Sequence, residues 1–319
     1  MTSEFESLEK KLLDNVHNQK RDISIFPDIE QFLRKYPDPK IIPEANFPLI
    51  KEITKAAQYC RNVGFMARAG ANFDARIWET ALAYSLEGAK RIEENKCSIE
   101  TTAKLEVCGN FYNYAGDYAF QIAQMIPEFQ IKRGKLQESI NNYTKGIDIL
   151  EKANVKEVAY TYGFRGTAIR EFANLHGRGE RITYILAAAK DTIKGGELSR
   201  TLNAKHSAYQ YSIGGKYKFH AAKAAFHVLA PEFQTEKLFE AIEHEKTALE
   251  IHPNDKFFRS EVDCDMGKMY DMIFQITRKK EYAGLAIKHY ELAMPWLREG
   301  HRVKLEAQRR TEQLKMVFA

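Results

Sequence analysis

In this 319-residue chain, two arginine–asparagine pairs have residue types and a spacing that suggest binding chemistry. Arg68 precedes Asn72, and Arg170 precedes Asn174, by four residues in each case. If these segments are helical, each pair lies on one helix face. A guanidinium group binds a carboxylate or phosphate through two hydrogen bonds, and an amide adds a directional one. The pairs therefore suit anion binding, but the favoured interpretation is that they brace the loop after each helix.

Residue patterns typical of catalysis are sparse. His244 and His252 are eight residues apart, unlike the four-residue spacing of a zinc-protease helix, and the segment that begins at Gly179 lacks the GK[ST] of a phosphate loop. One segment holds several acidic residues: Glu261, Asp263, Asp265 and Asp271. A single helix cannot surround a metal ion, so these predict a solvated acidic face. We predict a protein that is not an enzyme and has neither metal nor cofactor.

The elements that must position these residues are helices. A period of 3.6 residues dominates the apolar pattern, as in Ile140, Tyr143, Ile147 and Leu150, whereas alternating strand patterns are almost absent. Helix breakers mark predicted boundaries at Pro127, Gly195, Gly196, Pro231 and Pro253. The sequence predicts an all-α chain with 11 to 13 helices.

The segment PEFQ occurs twice, starting at Pro127 and at Pro231. The spacing of Tyr112, Gly116 and Tyr118 also recurs, 99 residues later, so roughly residues 98–196 and 199–298 form an internal duplication of about 102 residues. Repeats of this length predict stacked helical hairpins, because one hairpin alone cannot bury its apolar face. We predict five hairpins, at 48–95, 98–152, 155–196, 199–252 and 255–298, with PEFQ opening the second helix of each longer hairpin.

The hairpins resemble tetratricopeptide repeats. CGNFYNYAGDYAFQI (Cys108–Ile122) is similar to the first helix and turn of that family, and AIEHEKTALEIHP (Ala241–Pro253) is similar to its second helix. The resemblance covers about residues 48–298, although these hairpins are longer than the family's 34 residues. It implies a TPR-like α-solenoid, a superhelical stack whose inner groove binds peptides or helices. Gly109 and Gly267 are predicted to lie at close helix crossings.

In such a stack, the first helices of the hairpins line the groove. We predict a binding strip of basic, amide and tyrosine side chains on these helices: Arg61, Asn62, Arg68, Asn110, Asn113, Tyr114, Arg170, Lys205 and Tyr209. Glu261, Asp265 and Asp271 would make the far end of the groove negative. The alternative for each charged residue is a solvated helix face with ion pairs one turn apart.

The predicted function is a protein-interaction scaffold or adaptor that binds an acidic or carboxylate-bearing peptide in the concave groove. The alternative is an RNA- or nucleotide-binding helical-repeat protein, because tyrosines interleaved with lysine and arginine can stack bases. Tyr112, Tyr114, Tyr209 and Tyr211 are the candidates for stacking. Packing within the hairpins is the simpler explanation for Tyr112 and Tyr211. The partner is predicted to be a protein or peptide, with RNA possible and no membrane involved.

The composition fits a soluble globular protein, with 44% hydrophobic and 29% charged residues. The net charge of +5 permits an acidic partner but is less basic than a dedicated nucleic-acid binder. Four cysteines without a CxxC pair predict buried, reduced thiols, and a polar N-terminus predicts a cytoplasmic protein. The predicted domains are N-terminal helices with a Pro-rich connector (1–46), the helical-repeat domain (47–298) and a C-terminal capping helix (299–319).

Overall fold

The computed structural model describes residues 26–67, 74–96, 101–226, 228–298 and 300–318, with the side chains of 26, 59–67 and 101–102 excepted. These residues form twelve α-helices and three short 3-10 turns, and no strand occurs among them. The predicted fold class, an all-α helical-repeat protein, is confirmed, and the number of helices falls in the predicted range.

The helices are α1 (Phe26–Lys35), α2 (Phe47–Ala67), α3 (Ala75–Glu93), α4 (Thr101–Met125), α5 (Phe129–Lys152), α6 (Val158–Ala173), α7 (Arg178–Ser199), α8 (Ala204–Ala224), α9 (Pro231–Ile251), α10 (Lys256–Thr277), α11 (Lys280–Ala293) and α12 (Arg302–Lys315). Internal packing divides the chain into two compact units, residues 1–168 and 169–319. The predicted domain bounds differ from this division and stay a prediction. Helix α6 spans the boundary between the units.

In the first unit, α3 packs on α4 and α4 packs on α5. Tyr143, Ile147 and Leu150 of α5 are buried, as their spacing predicts. Glycines bring α4 and α5 into close contact. A Cβ at Gly146 would lie 3.1 Å from the carbonyl oxygen of Gly109, so the two backbones almost touch at this crossing.

A buried carboxylate ties three helices of the first unit together. Asp117 on α4 is fully buried, and it accepts hydrogen bonds from the Tyr143 hydroxyl on α5 and from the Gln58 amide on α2. Hydrogen bonds of this kind satisfy a charge that would otherwise be costly to bury. Gln58 is therefore a structural residue of this unit.

In the second unit, α7 packs on α8, α8 on α9, and α10 on α11. The aromatic ring of Tyr290 on α11 lies directly over Gly267 on α10, where a Cβ would be 2.7 Å from the ring. Gly109 and Gly267 are both buried at helix crossings, so that prediction is confirmed. The two cysteines with described side chains, Cys108 and Cys264, are buried thiols, as expected.

The C-terminal helix α12 packs against α11. Its buried face consists of Ala307, Thr311 and Leu314. The guanidinium of Arg310 donates two hydrogen bonds to Asp271 on α10, with nitrogen–oxygen distances of 2.7 and 2.6 Å. This bidentate pair fixes the end of the chain on the fifth hairpin.

The internal duplication reappears in equivalent contacts within each unit. Gly116 on α4 lies against Tyr143 on α5. Gly215 follows Gly116 by 99 positions, Glu245 follows Tyr143 by 102 positions, and these two residues also lie against each other. Residues 98–196 and 199–298 each contain four helices in the same order. Their superposition stays a prediction.

The repeated PEFQ segment does not mark equivalent positions. Pro231 is the first residue of α9, as expected, but Pro127 lies in the loop before α5, which begins at Phe129. The helix starts are 102 residues apart and the PEFQ copies 104. The prediction that PEFQ opens both helices is therefore wrong for the first copy. The loops before the two helices also differ, with three residues (126–128) in one and six (225–230) in the other.

Candidate functional site

A cleft of about 700 Å³ opens beside α10 in the second unit. One wall is a face of α10, whose lining residues are spaced three or four positions apart. The other wall is the chain between α11 and α12. We call it the C-terminal cleft. Its lining is Lys216, Phe257, Ser260, Glu261, Cys264, Asp265, Lys268, Trp296, Leu297, Arg298, His301 and Val303.

Local sequence signals shape both walls. Asp255 caps the N-terminus of α10 by accepting from the backbone N–H groups of Phe257 and Phe258, at 3.1 and 3.0 Å. After α11, Pro295 lies within a 3-10 turn that holds Trp296, and Gly300 has a φ of +70°, which favours glycine. The second wall is therefore a short irregular segment between two helices.

Two aromatic side chains stand exposed at the cleft. Phe257 is 71% exposed and Trp296 is 43% exposed. The ammonium group of Lys256 lies 4.5 Å from the centroid of the Trp296 ring, within the range of a cation–π interaction. Exposed tryptophan beside basic residues is typical of the anchor positions of protein interfaces.

The charged floor of the cleft is a carboxylate between two ammonium groups. Asp265 on α10 contacts Lys216 of α8 at 3.1 Å and Lys268 at 2.9 Å. Burial alone would raise the pKa of Asp265, but the two lysines outweigh it and lower that pKa. Burial would likewise lower the pKa of each lysine, but Asp265 raises both above the ordinary value. All three groups therefore stay charged near neutral pH.

Behind this floor, Glu245 on α9 is fully buried. By hydrogen-bond geometry, neither carboxyl oxygen has a partner among the described residues, although the Ser212 hydroxyl lies close enough to act on the carboxyl group. Burial, followed by repulsion from Asp265, raises the pKa of Glu245 well above its ordinary value. Glu245 therefore keeps its proton at pH values where surface glutamates are ionised.

The cleft also contains a thiol, but one of low reactivity. Burial raises the pKa of Cys264 to about 11. Because the thiolate is the nucleophile, a cysteine that is protonated at neutral pH attacks slowly. The lining therefore offers a ligand charged and apolar contacts.

The acidic end expected of the fifth hairpin is largely neutralised. In addition to Asp265, which two lysines contact, two more acidic residues have partners. Asp271 is bound by Arg310, and Asp263 contacts His289 at 2.9 Å. These partners come from α8, α11 and α12, which the periodicity of α10 alone cannot reveal. Of the predicted acids, Glu261 remains exposed. Within the described ranges, no group of three histidine, cysteine or acidic side chains could hold a metal ion.

The predicted binding strip is only partly described. Arg68 and the side chains of Arg61 and Asn62 lie outside the described residues. On α4, Asn110 and Asn113 are half-buried, and Tyr114 packs against the core, where burial raises its pKa to about 12. Tyr114 therefore has a packing role beside the core.

Arg170 participates in a network at the α6–α7 loop. It contacts Glu171 at 3.0 Å, Glu171 accepts from Asn174 at 3.4 Å, and Asn174 accepts from Arg181 at 3.1 Å. These contacts support the bracing interpretation of the arginine–asparagine pair. Burial, followed by the charge of Arg170, lowers the pKa of His220 to about 4, which places Arg170 near the end of α8.

Lys205 and Tyr209 lie together at the other end of α8. The Lys205 ammonium is 5.9 Å from the Tyr209 ring centroid, and that ring is 4.7 Å from the ring of Phe258. Fifteen residues of helix separate Lys205 from His220, a distance of about 22 Å. The structure therefore keeps Lys205 and Arg170 apart. The predicted strip combines residues from both units and stays a prediction as a whole.

Sequence reasoning missed eight of the residues that line the cleft, among them Lys216, Trp296, Arg298 and His301. A signal for three of them was present in MPWLREGH (294–301), where a tryptophan follows a proline, and arginine and histidine precede the last helix. A large aromatic residue in such an irregular segment has little core to enter. Lys216 had no comparable signal, because its position at the cleft depends on how α8 meets α10.

The fold and this site define a class: all-α helical-repeat proteins with a cleft suited to binding. In structure, the chain is similar to Nro1, a hypoxic regulator of sterol synthesis described as a nuclear import adaptor. The TM-score is 0.53 at 10% identity, covering 98% of this chain and 92% of that one. A second structure of Nro1, from S. pombe, gives 0.49 at 10% identity, covering 98% of both chains.

A circular tandem repeat protein gives a TM-score of 0.37 at 13% identity, covering 98% of this chain and 88% of that one. No protein-family model matches the sequence, and neither does any curated protein. At 10% identity, the similarity to Nro1 shows a shared fold. The helical-repeat class is supported, whereas the tetratricopeptide family is not confirmed. No helix in the described part of the chain is long and apolar enough to cross a membrane.

Proposed function

We propose that this protein is an interaction adaptor that binds an acidic segment of a partner protein in the C-terminal cleft. The observation that carries the proposal is the exposed Trp296, with Phe257, over a cleft of about 700 Å³ whose charged lining is basic. Large aromatic side chains give much contact area for little loss of conformational freedom.

The charges of the cleft favour an acidic partner. Three basic residues, Lys216, Lys268 and Arg298, line it against two acidic ones, Glu261 and Asp265. Complementary charge speeds association and sets the orientation of a bound segment. The proposal keeps the acidic peptide that the sequence predicts but places it at the fifth hairpin, where the lining is described.

Two further observations support an adaptor. The fold is shared with Nro1, which is described as a nuclear import adaptor. The tyrosines considered for RNA stacking are engaged within the fold: Tyr112 donates a hydrogen bond to Glu93, Tyr114 is in the core, and Tyr209 packs on Phe258. Kinship with tetratricopeptide repeats, a cytoplasmic location and the absence of catalysis remain parts of this proposal.

Peptide display tests the proposal without a known partner. A random library of 12-residue peptides is selected on the immobilised protein, and the selected peptides are labelled with fluorescein and titrated by anisotropy. We expect selection of peptides rich in aspartate or glutamate beside an aromatic or aliphatic residue. Trp296→Ala should weaken them at least tenfold, because a central anchor contributes more than about 1.4 kcal/mol.

The matched control is Phe129→Ala, which removes an aromatic side chain that is 48% exposed in the first unit. It should leave the affinities unchanged. Selection of basic peptides, or acidic peptides whose affinity is indifferent to Trp296→Ala, would refute the proposal. Binding of a 12-residue uridine RNA with a steep salt dependence, in place of any peptide, would favour the RNA alternative.

A further inference from the structure

We infer that Lys216, Asp265 and Lys268 form a carboxylate-binding subsite at the floor of the C-terminal cleft, and that Glu245 behind it gates the subsite by its protonation. The ligand is an aspartate or glutamate side chain of the docked segment. This inference rests on the proposed function, because it names the chemistry that the floor of the same cleft recognises. It goes further by coupling the affinity to a proton.

The geometry of the floor leaves donors for a second carboxylate. The ammonium groups of Lys216 and Lys268 come from different helices and meet at the two oxygens of Asp265, at 3.1 and 2.9 Å. Each ammonium carries three N–H donors, so one contact to Asp265 leaves others for a ligand. The two lysine side chains are 34% and 30% exposed, and both line the cleft. A carboxylate in the cleft can therefore reach both.

The charge of the floor is unbalanced. Within the cluster, two ammonium groups contact one carboxylate, and Glu245, when protonated, adds no charge. Glu261 and Glu306 act on the two lysines electrostatically from outside the cluster. The cluster then carries a net positive charge in a half-buried place, where interactions between charges are stronger than in water. A bound carboxylate completes the pairing, so that each lysine has its own anion. Uncompensated charge in such a place is costly, and this cost favours an anionic ligand.

Glu245 is the group that competes with the ligand. Charged and polar groups face it from both helices that pack against it: Lys216 and Ser212 on α8, and Asp265 and Lys268 on α10. Its own oxygens are unbonded and fully buried. If Glu245 loses its proton, it supplies the missing negative charge itself. If a ligand carboxylate binds, the second negative charge makes ionisation of Glu245 harder. Ligand binding therefore disfavours deprotonation of Glu245, and deprotonation of Glu245 weakens ligand binding.

The sign of the pH dependence follows from this competition. A ligand that favours the protonated form of Glu245 binds more tightly at low pH, and its affinity falls as pH rises and Glu245 ionises. Binding is accompanied by proton uptake in that range. His301 lines the opposite wall of the cleft, so the variant His301→Asn is included as a control.

The test uses one selected acidic peptide and the same peptide with each aspartate and glutamate replaced by asparagine or glutamine. Both have an amidated C-terminus, and a third form has a free C-terminus. Against the full-length protein, we expect the acidic peptide to bind at least tenfold more tightly than its amide counterpart. Lys216→Met and Lys268→Met should each remove most of that difference. The control Lys246→Met, an exposed lysine of α9 paired with Glu243, should not change it.

The pH arm compares affinities from pH 5.5 to 8. The affinity of the wild type and of His301→Asn for the acidic peptide should fall with rising pH, and that of Glu245→Gln should not. Calorimetry of the unaltered protein, in two buffers with different enthalpies of ionisation, gives the proton uptake without any substitution. This measurement remains available if a lysine variant fails to fold.

The outcomes separate the inference from the proposed function. Equal affinity for the acidic and amide peptides, with binding still sensitive to Trp296→Ala, would overturn the subsite and leave the adaptor proposal standing. Insensitivity to Trp296→Ala would remove both. A preference for the free C-terminus alone would also overturn the assignment to an acidic side chain. Absence of proton uptake by the unaltered protein would refute the role of Glu245.

Discussion

Replacing two glycines of the same helix by alanine should have opposite effects on stability. Gly134 and Gly146 both lie within α5, so alanine improves helix propensity by about 0.8–1 kcal/mol at either position. A Cβ at Gly134 meets nothing within 4 Å. At Gly146 it would lie 3.1 Å from the backbone oxygen of Gly109 and 3.3 Å from the backbone nitrogen of Asn113, and neither can move independently of its helix.

The difference in unfolding free energy between the two variants measures the cost of crowding at the helix crossing, because the gain in helix propensity is common to both. Overpacking of this kind costs about 1–3 kcal/mol. Gly134→Ala is therefore expected to stabilise the first unit by about 1 kcal/mol, and Gly146→Ala to be 1–3 kcal/mol less stable than Gly134→Ala. Urea unfolding should be followed by tryptophan fluorescence in a Trp296→Phe background. The remaining tryptophan, Trp78, is buried in the first unit, so the signal reports on the unit that contains α5.

The interpretation depends on an unchanged slope of unfolding free energy against urea, since a changed slope signals an altered unfolded or native state. Equal stabilisation by both substitutions would show that α4 and α5 are further apart than the structure places them.

Two further predictions concern the second unit. The pKa of Glu245 is raised in the folded state, so its contribution to stability is present below the unfolded value of about 4.3 and is lost as pH rises through the folded value. Glu245→Gln should therefore gain stability relative to the wild type as pH rises, by at most about 1.4 kcal/mol per pH unit, and a pH-independent difference in urea unfolding would contradict this. Asp271→Ala and Arg310→Ala should each destabilise by about 2–4 kcal/mol, because each leaves a half-buried or buried charge unpaired. The double variant should cost much less than their sum in thermal unfolding, whereas additivity would mean that the pair contributes nothing to anchoring α12.

The sequence is sufficient to predict elements and their buried faces. The apolar spacing in α5 identifies Tyr143, Ile147 and Leu150 as core, and small residues at Gly109 and Gly267 identify helix crossings. These predictions succeed because the period of a helix and the space that a side chain needs are local properties. The number of helices and the fold class follow from them.

The partners of polar side chains are not local properties, and here the sequence is insufficient. From the sequence of α10 alone, its acidic residues predict an acidic face. In the structure, Asp265 meets a lysine from α8, and Asp271 meets an arginine 39 residues further along the chain. Trp296 lies in a segment without periodicity, whose proline and basic residues indicate an exposed irregular stretch but not that this stretch lines a cleft.

The unequal loops at the tips of the two long hairpins indicate how the duplicated copies diverged. The three additional residues of the second copy lie between α8 and α9. Within a helix, three residues would rotate every later side chain by roughly 300° about the axis and remove it from its neighbours. At the tip they alter no helix face, because the offset between copies is constant along each helix. The difference in length between the two copies therefore falls at a loop, where added residues cost least, and leaves the packing of the helices on both sides unchanged.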